Sequence, residues 1–68
     1  MNAKLLKSKM VLFGDTGAVL ADALGISRQQ FSAKLNETNG AEFTQNEIKM
    51  IKARYSLTSE EVDYIFFA

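Results

Sequence analysis

The chain contains no cysteine, no histidine, no proline and no tryptophan among its 68 residues. Without cysteine there is no disulfide staple and no thiolate nucleophile, and without histidine or cysteine an ordinary zinc site is excluded. Charge of one sign is not in excess either, since eight Lys and Arg balance eight Asp and Glu. That balance alone argues against nucleic acid, because neutralising phosphates normally takes a surplus of cations. No apolar run approaches a membrane span, and Leu5, Leu6 and Met10 to Phe13 are too interrupted by polar residues for a signal-peptide core. The expected location is the cytoplasm. What remains is 47% apolar and 24% charged residues, the composition of a folded globular domain. Residues 1-68 form one domain with a core so small that good capping or association must support it.

The charge is unevenly spread. Residues 1 to 36 carry Lys4, Lys7, Lys9, Arg28 and Lys34 against Asp15 and Asp22, whereas residues 37 to 68 carry Lys49, Lys52 and Arg54 against six carboxylates. The first half is therefore cationic and the second anionic, a distribution that permits a polyanionic partner without requiring one.

Period-2 alternation is nowhere sustained, so strands have little support, and helices fit throughout. Leu6, Met10 and Phe13 predict a first helix over Ala3 to Phe13, stopped by Gly14. Asp15 or Thr16 can cap a second helix from Gly17 to Leu24, with Val19, Leu20 and Leu24 inward and Gly25 at its end. The next three starts share one pattern: a hydroxyl residue, Gln or Glu three positions on, and apolar residues flanking both. Ser27 has Gln30 with Ile26 and Phe31, Thr44 has Glu47 with Phe43 and Ile48, and Thr58 has Glu61 with Leu57 and Val62. Helices are expected to begin at Arg28, Gln45 and Ser59, and the segment from Asn36 to Glu42, with Asn39-Gly40 in it, to be a loop. The fold class is all-α, a compact five-helix bundle.

Within residues 16 to 36, Leu20 and Ala21 are followed by Leu24, Gly25, Ile26 and Ser27, then by Phe31 and Leu35. Two helices that cross steeply through a three-residue turn need a small residue where the axes meet, a residue tolerant of positive φ in the turn, and apolar anchors around both. Ala21, Gly25 and the neighbouring aliphatics satisfy all three. In this pattern the chain resembles the phage repressor and Cro-like helix-turn-helix regulators, through Thr16, Leu20-Ala21, Leu24-Gly25-Ile26-Ser27, Phe31 and Leu35-Asn36. The resemblance covers essentially the whole chain. It implies the lambda-repressor-like DNA-binding domain, a homodimer on two-fold-related operator DNA, a role in a genetic switch, and a place at the nucleoid of a bacterial host. Two positions depart from the family: Gly17 stands where a phosphate-clamping Gln is common, and Lys34 where an apolar residue is common.

With Phe31 and Leu35 inward, Ser27, Arg28, Gln29, Ser32 and Ala33 are the expected base-contacting set. Arg can donate twice to guanine, and Gln can pair with adenine. Gln30 ranks lower because its amide is committed to capping Ser27. Phosphates are expected at the amino end of the second helix, Thr16, Gly17 and Ala18, and at Lys34, Asn36, Thr38 and Asn39. Ordinary turn chemistry accounts for the loop residues equally well. Tyr64 and Phe67 lie on a side of the last helix that one small core does not cover and are the expected dimer contact; the alternative is that Phe66 or Phe67 simply fills the core or frays at the terminus.

An enzyme is not expected. Ser27, Ser32 and Thr44 have no base partner, and Glu60, Glu61 and Asp63 suit the dipole of a capped helix. No cofactor, metal, membrane or small-molecule substrate is expected. The competing function is that of a protein-interaction module, an anti-repressor that turns the same helical surface toward another regulator.

Overall fold

The five predicted helices form, and their starts follow the capping residues. In a computed structural model that describes residues 1–67, the chain is all-helical, with no strand among the described residues. Helix α1 spans Ala3–Leu12, α2 Gly17–Leu24, α3 Arg28–Leu35, α4 Gln45–Arg54 and α5 Ser59–Val62, the last continuing into a π-helical turn, Asp63–Phe67. The whole measures 27 × 24 × 20 Å. No described helix is long and apolar enough to cross a membrane.

All three capping boxes close. Ser27 Oγ accepts from the Gln30 amide at 3.1 Å while Gln30 Oε1 accepts from the Ser27 amide at 2.9 Å. Thr44 with Glu47, and Thr58 with Glu61, repeat the exchange at 2.8 to 3.1 Å. Each box satisfies two amides that a helix start otherwise leaves unpaired. Of the two candidates at the start of α2, Thr16 is the cap, its Oγ1 accepting from the Val19 amide. Asn2 caps α1 in the same way, through the Leu5 amide.

Helices α1, α2 and α4 stop by one shared device. Gly14, Gly25 and Ser56, within two residues of the helix end, take a left-handed conformation, and two amides fold back on the last turn. At the end of α2 these bonds run from Gly25 to the Asp22 carbonyl and from Ile26 to the Ala21 carbonyl, both 3.0 Å. Gly25 has φ +74° there, and a Cβ added to it would meet nothing within 4 Å. The cost of a side chain at Gly25 is thus one of backbone alone. Gly25→Val is expected to lose about 1 to 3 kcal/mol of stability in a urea titration, because a β-branched residue resists positive φ. Gly25→Asn, which tolerates that conformation, should lose clearly less, and equal losses would mean that conformation is not what Gly25 supplies.

The core is assembled from Leu6 and Met10 of α1, Leu20 and Ala21 of α2, Phe31 and Leu35 of α3, Ile48 and Ile51 of α4, and Ile65 of the last turn. Phe43, Tyr55 and Leu57 enter from the flanks of α4. Two expected members differ. Phe13 is not in the buried stripe: α1 ends at Leu12, the chain turns at Gly14 (φ +73°), and Phe13 is swung out against the Tyr55 ring, 5.0 Å between centroids. Val19 is exposed, because the inward stripe of an eight-residue helix runs through Gly17, Leu20, Ala21 and Leu24, and Val19 falls beside it. The expected loop holds a short 3-10 turn, Thr38–Gly40, entered through Glu37 at φ +54°.

The last helix divides as its sequence predicts. Ile65 is fully buried, Val62 and Phe66 pack partly against the core, and Tyr64 and Phe67 stand in solvent.

Candidate nucleic-acid interface

Helix α3 is held by Phe31 and Leu35, one turn apart and both buried, with the Phe43 ring edge-on to Phe31 at 5.8 Å. This anchoring leaves Arg28, Gln29 and Ser32 exposed on the outer side, while Ala33 is half-buried at the flank. Ser27 is exposed at the start of the helix, with its hydroxyl oxygen engaged by the Gln30 amide and its proton still available.

The amino end of α2 lies beside this surface. A Cβ built on Gly17 would stand 3.5 Å from Phe31 Cε2, an ordinary contact, so α2 begins directly over the Phe31 ring. The result is an open groove of about 450 Å³ lined by Thr16, Gly17, Ala18, Arg28 and Ser32, with Phe31 and Leu35 as its floor. Residues ten and more positions apart in sequence thus meet in one depression. The amides of Gly17 and Ala18 belong to the first helical turn, where no intrahelical acceptor exists, whereas that of Val19 is already capped by Thr16. Positive dipole end, free amides and the Arg28 guanidinium converge on this groove.

Lys34 is elsewhere. Its Nζ donates to both carboxylate oxygens of Glu47, at 2.7 Å each, and the two side chains retain only 18% and 9% of their exposure. On a helix Lys34 lies between the Phe31 and Gln30 rows, on the side that faces α4, so it does not join the groove. It borders a separate cleft of about 190 Å³ with Phe43, Ile48 and Phe66. The Lys34 ammonium, expected at a phosphate, is engaged by Glu47 within the fold. Burial by itself would raise the Glu47 pKa, but the Lys34 ammonium, the Thr44 amide and the Thr44 hydroxyl together hold it below its ordinary value. Glu47 was legible as a capping residue and not as the partner of Lys34, because pairs thirteen residues apart leave no local signal.

Asn36 caps the end of α3, exposed, with its amide 3.3 Å from Ser32 Oγ. Thr38 and Asn39 are exposed on the turn that follows and do not line the groove.

A second polar cluster fixes the entrance to α2. Asp15 accepts from Arg54 Nε at 2.7 Å and Nη2 at 3.0 Å, and from the Tyr55 hydroxyl at 2.7 Å. Those two donors lower the Asp15 pKa, and the same contact raises that of Arg54. Burial first, and the Asp15 carboxylate second, push Tyr55 up to about 12. Arg54 is thus committed, as is Lys9, which pairs with Glu61 at 2.5 Å. Among the described residues, Arg28 is the cation in the groove without an ion-pair partner. Lys4 and Lys7 on α1, and Lys49 and Lys52 on α4, are exposed.

The described residues bring no three His, Cys, Asp or Glu side chains together as a metal ion would need. Comparison with protein-family models, curated proteins and solved structures gives no match.

Proposed function

We propose that the protein is a sequence-specific DNA-binding regulator of the repressor and Cro-like helix-turn-helix type, with α2 and α3 as the motif and α3 as the helix that enters the major groove. The observation that carries this reading is the groove itself. It joins a free helix start, an unpaired guanidinium and a row of exposed polar side chains on one two-helix unit. A phosphate fits the amides of Gly17 and Ala18, and that anchoring would direct Arg28, Gln29 and Ser32 toward base edges in a groove about 12 Å wide. Ser27 and Ala33 flank that row, with Asn36, Thr38 and Asn39 on the exit side of α3 as secondary backbone contacts. Operator DNA is read by a homodimer joined through Tyr64 and Phe67.

A second reading, a protein-interaction module related to anti-repressors, is favoured by one observation: three cations that would otherwise strengthen a DNA contact are committed to Asp15, Glu47 and Glu61. Salt dependence separates the two readings, since a DNA complex must release counterions and a protein complex need not.

The DNA reading predicts measurable but shallow salt dependence on random duplex, because each subunit offers few free cations. Arg28→Ala should cost about 1 to 3 kcal/mol on the preferred site and relax one base position. Lys34→Met should leave the slope of log affinity against log salt as it is. A slope near zero for the parent protein would remove DNA as the ligand, and a flatter slope in the Lys34 variant would restore that residue to the phosphate contacts.

A further inference from the structure

The most exposed apolar side chains form two stripes that match one another. On α1 the outward row is Lys4, Lys7, Ser8 and Val11, with Leu12 at its edge; Val11 and Leu12 are 77% and 74% exposed. On α5 and the turn that extends it, Glu60, Asp63, Tyr64 and Phe67 line one shallow depression, with Tyr64 and Phe67 at 64% and 59%. Both rows are spaced by three, one and three residues. The first runs from cationic to aliphatic, the second from anionic to aromatic.

We propose that these stripes are the two halves of a homodimer contact, the α1 stripe of one copy lying along the α5 stripe of the other. It rests on the dimeric reading above and gives Tyr64 and Phe67 their opposite residues. The orientation follows from the fold. Within one chain α1 and α5 run antiparallel, since the Asn2 amide donates to the Ile65 carbonyl at 2.6 Å while Lys9, a turn before the end of α1, pairs with Glu61 near the start of α5. A two-fold axis perpendicular to both helices reverses each of them. It therefore sets α1 of one copy parallel to α5 of the other, twice over, in a closed contact.

In that parallel setting the rows fall in register along their length. Lys4 comes beside Glu60, Lys7 beside Asp63, Ser8 beside Tyr64 and Val11 beside Phe67. Opposite charges meet at one end of each stripe and apolar surface is covered at the other. The reverse, antiparallel setting would place Lys4 against Phe67 and Val11 against Glu60. A self-pairing of α5 about the same axis would be antiparallel and would set Glu60 against Phe67 and Asp63 against Tyr64, charge against aromatic ring. Charge complementarity thus selects the second copy's α1 as the occupant.

The test is a charge swap read by sedimentation without DNA. At low salt the parent should pass from monomer to dimer with a dissociation constant on the order of 100 µM or tighter, and weaken with added salt. Lys4→Glu with Lys7→Glu should raise that constant at least about tenfold, as should Glu60→Lys with Asp63→Lys. An equimolar mixture of the two variants should recover dimer, because each reversed stripe then meets its complement. Helical content by circular dichroism accompanies every variant, and Glu60→Gln with Asp63→Asn replaces the lysine pair if that one unfolds, with the same direction of effect and no recovery in the mixture required. A parent that stays monomeric, reversed variants that remain dimeric, or a folded lysine-bearing mixture that does not pair would each overturn the contact. None of these outcomes bears on whether α3 binds duplex, and a failed DNA titration leaves the sedimentation result intact.

Discussion

Leu20→Ala is expected to leave much of the protein unfolded at 25 °C. Leu20 is completely buried, in the helix that supports α3, and lies in the same core as Leu6, Ile51 and Ile65. Truncating a fully buried leucine removes its transfer energy and opens a cavity, together about 3 to 5 kcal/mol. A single core in a chain of this size supplies only about 3 to 5 kcal/mol in total. The loss and the reserve are the same size, so the folded population should collapse, and with it the proposed binding to DNA. Leu20→Met keeps the volume and should cost under about 1.5 kcal/mol. Urea unfolding followed by circular dichroism decides the matter; a cooperative, near-parental transition for the alanine variant would show that the packing around Leu20 is not what holds the fold.

The elements that were legible in the sequence are those fixed by contacts three or four residues apart. Ser27-Gln30, Thr44-Glu47 and Thr58-Glu61 each close a loop of hydrogen bonds with their own neighbours, so the starts of α3, α4 and α5 needed no knowledge of the rest of the chain. Gly25 is similar, since its positive φ answers to the turn alone. The outward set on α3 followed from the burial of Phe31 and Leu35, a helical periodicity that the structure repeats.

What sequence did not reveal is non-local. Periodicity carried Phe13 one residue too far into α1, because the turn at Gly14 ends the helix first and Tyr55, forty-odd residues on, offers its ring a resting place. The partners of Lys34, Lys9 and Arg54 sit on other helices, so a tally of charge by halves overstated the cations free for a polyanion. The groove was foreseen as a set of residues and not as a shape. Its floor depends on how closely α2 approaches the Phe31 ring, which the spacing of Ala21 and Gly25 permits without fixing.

Removal of Glu47 is expected to be the most costly polar substitution. Its carboxylate does two jobs, accepting the Thr44 amide that starts α4 and both bonds from Lys34 that tie α3 to α4. Glu47→Ala leaves a mostly buried ammonium without a counterion and an amide without an acceptor, a loss of about 2 to 4 kcal/mol near neutral pH. Glu47→Gln can still accept the Thr44 amide and should lose less. The pH dependence has a definite sign. The folded pKa of Glu47 lies below its ordinary 4.5, so the stabilisation it gives is fully present above that value and is lost as pH falls through the lower, folded one. Asp15 and Glu61 are lowered too, by Arg54 and Lys9 first, so parent and variant alike should weaken in acid. The informative quantity is the difference between them. A cycle of Lys34→Met, Glu47→Gln and the double variant should show a coupling of about 1 to 3 kcal/mol at pH 7 that shrinks once the pH drops below 4.5, while the double variant recovers part of the loss because no charge is left stranded. Urea titrations at a series of pH values measure it, and a coupling that stays constant into strong acid would mean that the carboxylate's charge contributes nothing to holding α3 against α4.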